Sequence, residues 1–248
     1  MRALFMNRKA MLTVLAAVSL LLYGLDYILL DRNFKELSVR FLGNLAFLPL
    51  YVIIVTMMLE QVIRERERQT LMRKLNMVIG VFFSEVGNRL LRELSPYVVS
   101  CDGLRTHLLV NGSWKEQEFR AAHSFLDGAE IRVDCSCCDK EKLKQFMVGR
   151  RAFLVGLLEN QNLLEHEQFT DLLWAVFHLM EELEARENFE NMSAADTEHI
   201  NGDIKRAYGY LSHAWLSYMQ HLKSEYPYLF SLAIRLNPMI ENPDPHLY

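Results

Sequence analysis

Two apolar stretches, Met11 to Leu30 and Phe41 to Leu59, are parted by a short polar link, and the second runs directly into Arg64-Glu65-Arg66-Glu67-Arg68. At about 1.5 Å of rise per residue each stretch is close to the roughly 30 Å of a bilayer's hydrocarbon core. The first carries one charge, Asp26, one turn from its end. Its second half holds Tyr23, Asp26 and bulky leucines instead of a small-x-small cleavage site, which argues against a signal peptide. The second contains Asn44 and Pro49, and a proline is tolerated in a span where neighbours satisfy the carbonyl it frees. The expectation is a transmembrane hairpin over residues 1–60.

Basic residues set its orientation. Arg2, Arg8 and Lys9 precede the first stretch, and Arg64, Arg66, Arg68, Arg73 and Lys74 follow the second. Between them Asp31 and Glu36 offset Arg32, Lys35 and Arg40. The positive-inside rule then predicts both termini in the cytoplasm and an inner-membrane location. A link from Asp31 to Arg40 has no room for an external ligand domain or a re-entrant filter. A channel or transporter would need several copies around Asp26 and Asn44.

The chain of 248 residues has a net charge of -4, which gives no global attraction to nucleic acid. The lipid bilayer is the first partner it predicts. Its four cysteines, Cys101, Cys135, Cys137 and Cys138, are too few and too clustered for a disulfide framework and suit a reducing compartment. Cys135-Ser136-Cys137-Cys138 would need Cys101 or His107 to complete a soft-metal site, and no second spaced pair exists. Free thiols in a turn are the simpler expectation.

From Glu60 to about Leu94 apolar residues recur at steps of three and four, including Leu71, Leu75, Val78, Ile79, Phe82, Val86, Leu90 and Leu94. One connecting helix, 61–95, should continue the second span and end at Ser95-Pro96. Its stripe suits either a signalling or pairing helix or a stalk packed on its own domain. The remainder, 96–240, reads as an all-α cytoplasmic bundle. Asp102-Gly103 and Asn111-Gly112 bound a small hairpin or connector. Ser113 to Glu116 reads as a capping box for a helix ending at Gly128. A helix from Asp139 carries Arg150 and Arg151 at its middle, another spans about Glu165 to Arg186, and a last long one runs from Ala194 to Ser224. A short helix follows Pro227, and 241–248 reads as a frayed tail.

Three segments are similar to one known family: Leu75 to Gly80 with Phe82 to Gly87, Leu163 to Glu167 with Phe169 to His178, and Asp203 to Tyr208 with Tyr226 to Leu232. The chain resembles an uncharacterised family of prokaryotic membrane proteins with two N-terminal transmembrane helices and a helical cytoplasmic domain. The resemblance covers roughly residues 40 to 236. It implies architecture and transfers no functional residue.

Two constellations carry chemistry. The first is Glu165, His166, Glu167, Asp171, His178, Glu181 and Glu182, of which Glu167, Asp171, His178 and Glu182 fall near one face of an otherwise apolar helix, and carboxylates with imidazoles inside a bundle can bind metal. Di-iron bundles use Glu-x-x-His on two helices, a pattern absent here. The competing account is an ion-pair network in which Arg150, Arg151 or Arg206 neutralise the acids. His199, Asp203, Arg206, Tyr210 and His213 form a second stripe, read as a solvated or partner-facing surface. Phosphate loops, Gly-x-Ser-x-Gly elbows and His-Glu-x-x-His motifs are missing. No resident cofactor is therefore expected apart from a metal ion. The leading expectation is a scaffold or transducer acting through protein contacts and self-association, as a homo-oligomer or with another protein. A metal-dependent enzyme or metal sensor is the alternative.

Overall fold

A computed structural model describes residues 17–25, 27–28, 34–99, 101–136, 138–160, 163 and 167–246. The described residues are helical apart from turns and one isolated antiparallel bridge between Val98 and Val133. The chain divides into two compact units, residues 1–68 and 69–248. In the first unit, residues 17–25 are helical, and helix α1 begins at Phe34 and continues to Phe82 in the second unit. Pro49 lies inside α1.

Among the described residues one helical run, Ser38–Tyr97, is long and apolar enough to cross a membrane, and none of its most apolar stretch is buried. Phe41, Leu45, Ile53, Val55 and Leu59 all face outward. The expected first span, Met11 to Leu30, falls partly outside the described residues. One candidate helix, not two, is therefore found, and the paired-span detail of the expected fold has no support from it.

The second unit owes its core to helical stripes. Leu75, Ile79, Phe82, Val86, Leu90 and Leu94 are buried at the predicted spacing, so this part of the exit helix packs on its own domain. The helix is not uniform. A wide π turn over Phe83–Gly87 separates α1 from α2, Asn88–Leu94, and a 3-10 turn, Ser95–Tyr97, ends the run where Ser95-Pro96 was expected to end it. The π turn lets the sequence neighbours Phe82 and Phe83 both be fully buried. Phe82 meets Phe169 edge to face at 5.4 Å, and Phe83 stacks on Tyr218 at 5.0 Å between ring centroids. Gly87 closes the turn, since a Cβ there would lie 2.5 Å from Phe83 Cδ1.

Where a small hairpin or a connector was expected near Asp102-Gly103, the chain forms helix α3, Cys101–Leu108. Burial of Leu104 and Leu108, one turn apart, outweighs the local turn signal. Helix α4, Glu116–Gly128, starts later than its expected cap. The Glu118 carboxylate accepts from the Lys115 backbone N–H at 2.8 Å, while the Ser113 hydroxyl donates to Asn111 instead. The helix expected from Asp139 is two, α5 (Lys140–Val148) and α6 (Arg151–Leu158), interrupted at Gly149-Arg150. Asp139 caps α5 by accepting from the Lys142 N–H at 2.9 Å.

Helices α7, Glu167–Glu184, and α8, Ala194–Glu225, form the most extensive helix pair. On α7, Phe169, Leu172, Leu173, Val176, Leu179, Met180 and Leu183 are buried, and on α8 so are Ile200, Ile204, Tyr208, Leu211 and Trp215. Against α8 also pack α2, α4 and α9, Pro227–Arg235, while α5 and α6 lie on α7. In the expected frayed tail, the Pro245 carbonyl accepts from Arg235 Nε at 2.8 Å.

Candidate metal centre

The α7–α8 connection is a tight reversal. Ser193 caps α8 by accepting from the Asp196 N–H at 3.1 Å, and Asn191 turns the chain with a positive φ of 55°. Arg186 fastens the reversal, donating to Glu182 Oε2 and to Asp196 Oδ1, each at 2.7 Å. The two helices therefore leave the turn in a fixed register, and side chains one to two turns inward face each other.

Each helix presents a histidine and an acid one turn apart at this level: His178 and Glu182 on α7, His199 and Asp203 on α8. The i,i+4 spacing puts each pair on one face of its helix. One donor atom from each of the four lies within 4.8 Å of all the others. His178 Nε2 stands 3.9 Å from Glu182 Oε1 and 3.5 Å from Asp203 Oδ2. His199 Nε2 stands 3.5 Å from Glu182 Oε1 and 3.4 Å from Asp203 Oδ2.

The carboxylates divide their oxygens. Glu182 gives Oε2 to Arg186, whose hydrogen bond is the main reason that its carboxyl is held below the usual carboxylate range. Asp203 gives Oδ1 to Arg206 Nη1 at 3.0 Å. The side chain of Asp203 is 2% exposed, and its Oδ2 is buried without a hydrogen-bond partner. Both imidazoles approach this atom, yet neither makes a hydrogen bond to it. A buried carboxylate oxygen left so is costly unless something else meets it. The histidines are the open side of the site, with side chains 43% and 51% exposed.

Of the residues singled out in the sequence, His178 and Glu182 belong to this cluster, together with His199 and Asp203 from the second stripe. Glu167 and Asp171 do not; both are exposed, and Asp171 lies two turns from His178. Glu165 and His166 lie outside the described residues. Arg206 neutralises Asp203, an acid of the second stripe that the ion-pair account did not include. Arg151 pairs with Glu181 and Glu184, and Arg150 with Glu85 at 3.7 Å, all away from the cluster. His213 faces Asp127 at 3.8 Å and stacks on His123, while Tyr210 is exposed. Sequence reasoning missed Arg186. It also treated the two stripes separately, although paired His-x-x-x-acid spacings on successive helices were the signal joining them.

Neither Cys135 nor Cys138 joins this site. Cys135 is buried, its thiol pKa pushed up by burial, and its backbone N–H donates to Asn201 at 2.9 Å. Cys138 is half-buried; Cys137 lies outside the described residues.

Fold and site together define an all-helical protein of two units with a two-histidine, two-carboxylate cluster between the paired helices of the second. Comparison with known families matches residues 5–63 to the MJ1433 N-terminal helical domain and residues 71–235 to the MJ1433 C-terminal helical domain. The chain belongs to the MJ1433 family. It is 37% identical over 237 residues to a Methanocaldococcus jannaschii relative named "Uncharacterized protein MJ1433", a match covering 94% of this chain and 95% of the relative. No solved structure matches.

Proposed function

We propose that this protein is a membrane-anchored, metal-responsive helical protein that binds one divalent transition-metal ion at His178, Glu182, His199 and Asp203. The observation that carries the reading is Asp203 Oδ2, a buried anionic oxygen without a hydrogen bond, facing two imidazole nitrogens and a second carboxylate. Imidazole with carboxylate is the donor set of zinc, iron, cobalt and nickel rather than of magnesium or calcium. Metal content measured on protein purified in detergent without chelator tests it. One equivalent per chain is expected, and less than a tenth of that in Asp203→Ala. A metal-free preparation that takes up no zinc, cobalt or iron on dialysis would refute the reading.

Support for the anchor comes from the exposed apolar stretch of α1 and from the apolar sequence ahead of it. In this reading the two stretches form a hairpin with both termini in the cytoplasm, and the second unit works at the inner face of the membrane. Reporter fusions to the C-terminus should be active only inside the cell. The output is contact with a second copy or another protein, for which the sequence supplies the argument. A single-chain mass in detergent, unchanged by metal, would remove self-association.

A further inference from the structure

We infer that the α7–α8 cluster is a closed, four-coordinate site for an ion of the zinc class, acting as a removable clip on the helix pair and not as a catalytic centre. The inference rests on the metal-binding reading above and adds coordination number, ion class and role.

The distances carry the coordination. An imidazolium hydrogen-bonded to a carboxylate closes to about 2.7–2.9 Å. The four contacts here span 3.4–3.9 Å, too open for that. Donors about 2.0–2.2 Å from a tetrahedral ion stand about 3.3–3.6 Å from one another. Adjacent donors of an octahedral ion at about 2.1 Å would stand only about 3.0 Å apart. The observed contacts run around the cluster with nitrogen and oxygen alternating, as four corners about a common centre. All four donor atoms lie within 4.8 Å of one another, so contraction about a single ion brings them to tetrahedral separations.

A tetrahedron filled by four protein donors leaves no position for water or substrate, which is the mark of a structural or regulatory site. Folding does not need this ion. The seam beneath it is already filled by Leu179, Leu183, Ile200 and Ile204, all fully buried. With both histidines near half exposure, the ion has a direct path to solvent. Charge balance agrees: Arg186 and Arg206 each hold the far oxygen of one acid, fixing the carboxylates without occupying their inner oxygens. Gain and loss of the ion then stiffen and release the 185–193 reversal between the two helices.

Cobalt(II) tests this in the full-length, detergent-solubilised protein after chelator treatment. The expected result is the intense visible absorption of tetrahedral cobalt at one equivalent, abolished by zinc in slight excess. Backbone amides of residues 185–200 should exchange at least several-fold more slowly with metal than without. His199→Gln should weaken binding more than about 100-fold, and Arg206→Gln about 10- to 100-fold, as losses of a ligand and of its support do. Glu167→Gln and Asp171→Asn should change nothing, and circular dichroism of each variant confirms folding. Failure to bind any metal would overturn the metal-binding reading itself. Binding with the weak spectrum of six-coordinate cobalt, with His199→Gln unaffected or with amide exchange unchanged, would leave that reading standing and overturn the clip.

Discussion

Asp203 sits where a helix seam would ordinarily hold a leucine, between Ile200 and Ile204 in sequence and almost wholly out of solvent. Arg206 compensates half of it, and the other oxygen is left to the cluster. Such a residue is a burden on the metal-free protein, so Asp203→Asn should leave stability in chelator unchanged or higher while abolishing metal uptake. Denaturant unfolding with and without metal measures both. Were Asp203 only an anchor for Arg206, the same change would lower stability in chelator instead. Two other histidines set a pH dependence. Burial, aided for His123 by neighbouring His213 and opposed by Asp127, holds His123 below its ordinary value of 6.5; burial opposed by Glu225 does the same for His221. Below that value the unfolded chain takes up protons that the folded chain refuses. Their contribution is therefore favourable above about pH 6.5 and is lost on acidification until the folded-state values are passed. Denaturation midpoints recorded from about pH 8 to about pH 5 should fall less steeply in His123→Gln/His221→Gln than in the parent.

Elements were legible where one face of a helix does one job. The stripes of α7 and α8 were plain because each buried residue follows the last by three or four, and Ser193 and Asp139 cap as their types foretell. Reading failed where packing outvoted local chemistry: Asp102-Gly103 became helix because Leu104 and Leu108 have a core to fill. The single helix expected from Asp139 is interrupted at Gly149, which periodicity alone does not register. The π turn left no sequence mark except two consecutive phenylalanines followed by a glycine. At Gly87 the requirement is steric, with ring atoms of both Phe82 and Phe83 within 3.0 Å of any added Cβ. Gly87→Ala should therefore destabilise the second unit by about 1–3 kcal/mol, read from the shift of its unfolding midpoint at constant slope.

At the scale of the molecule, the described core residues all lie from Leu75 onward, and the family match to the second domain begins at residue 71. Residues 69–248 should therefore remain folded when produced alone, with cooperative thermal unfolding and the same cobalt spectrum as the full chain. Charge and apolar runs suggested boundaries at residues 60 and 95, whereas the two units meet after residue 68. The site was half legible: the right residue types were found on both helices, but which stripe meets which is decided by the α7–α8 register, set in part by Arg186 and the Asn191 turn. A sequence read helix by helix cannot supply that register. The π turn extends this lesson to insertions and deletions. Removing one residue between Phe83 and Gly87 would restore ordinary helical winding with the flanking faces still in phase, but would take away the wide turn that lets Phe82 and Phe83 both be buried. Homologous chains should thus tolerate many side-chain exchanges in this stretch while keeping its length invariant.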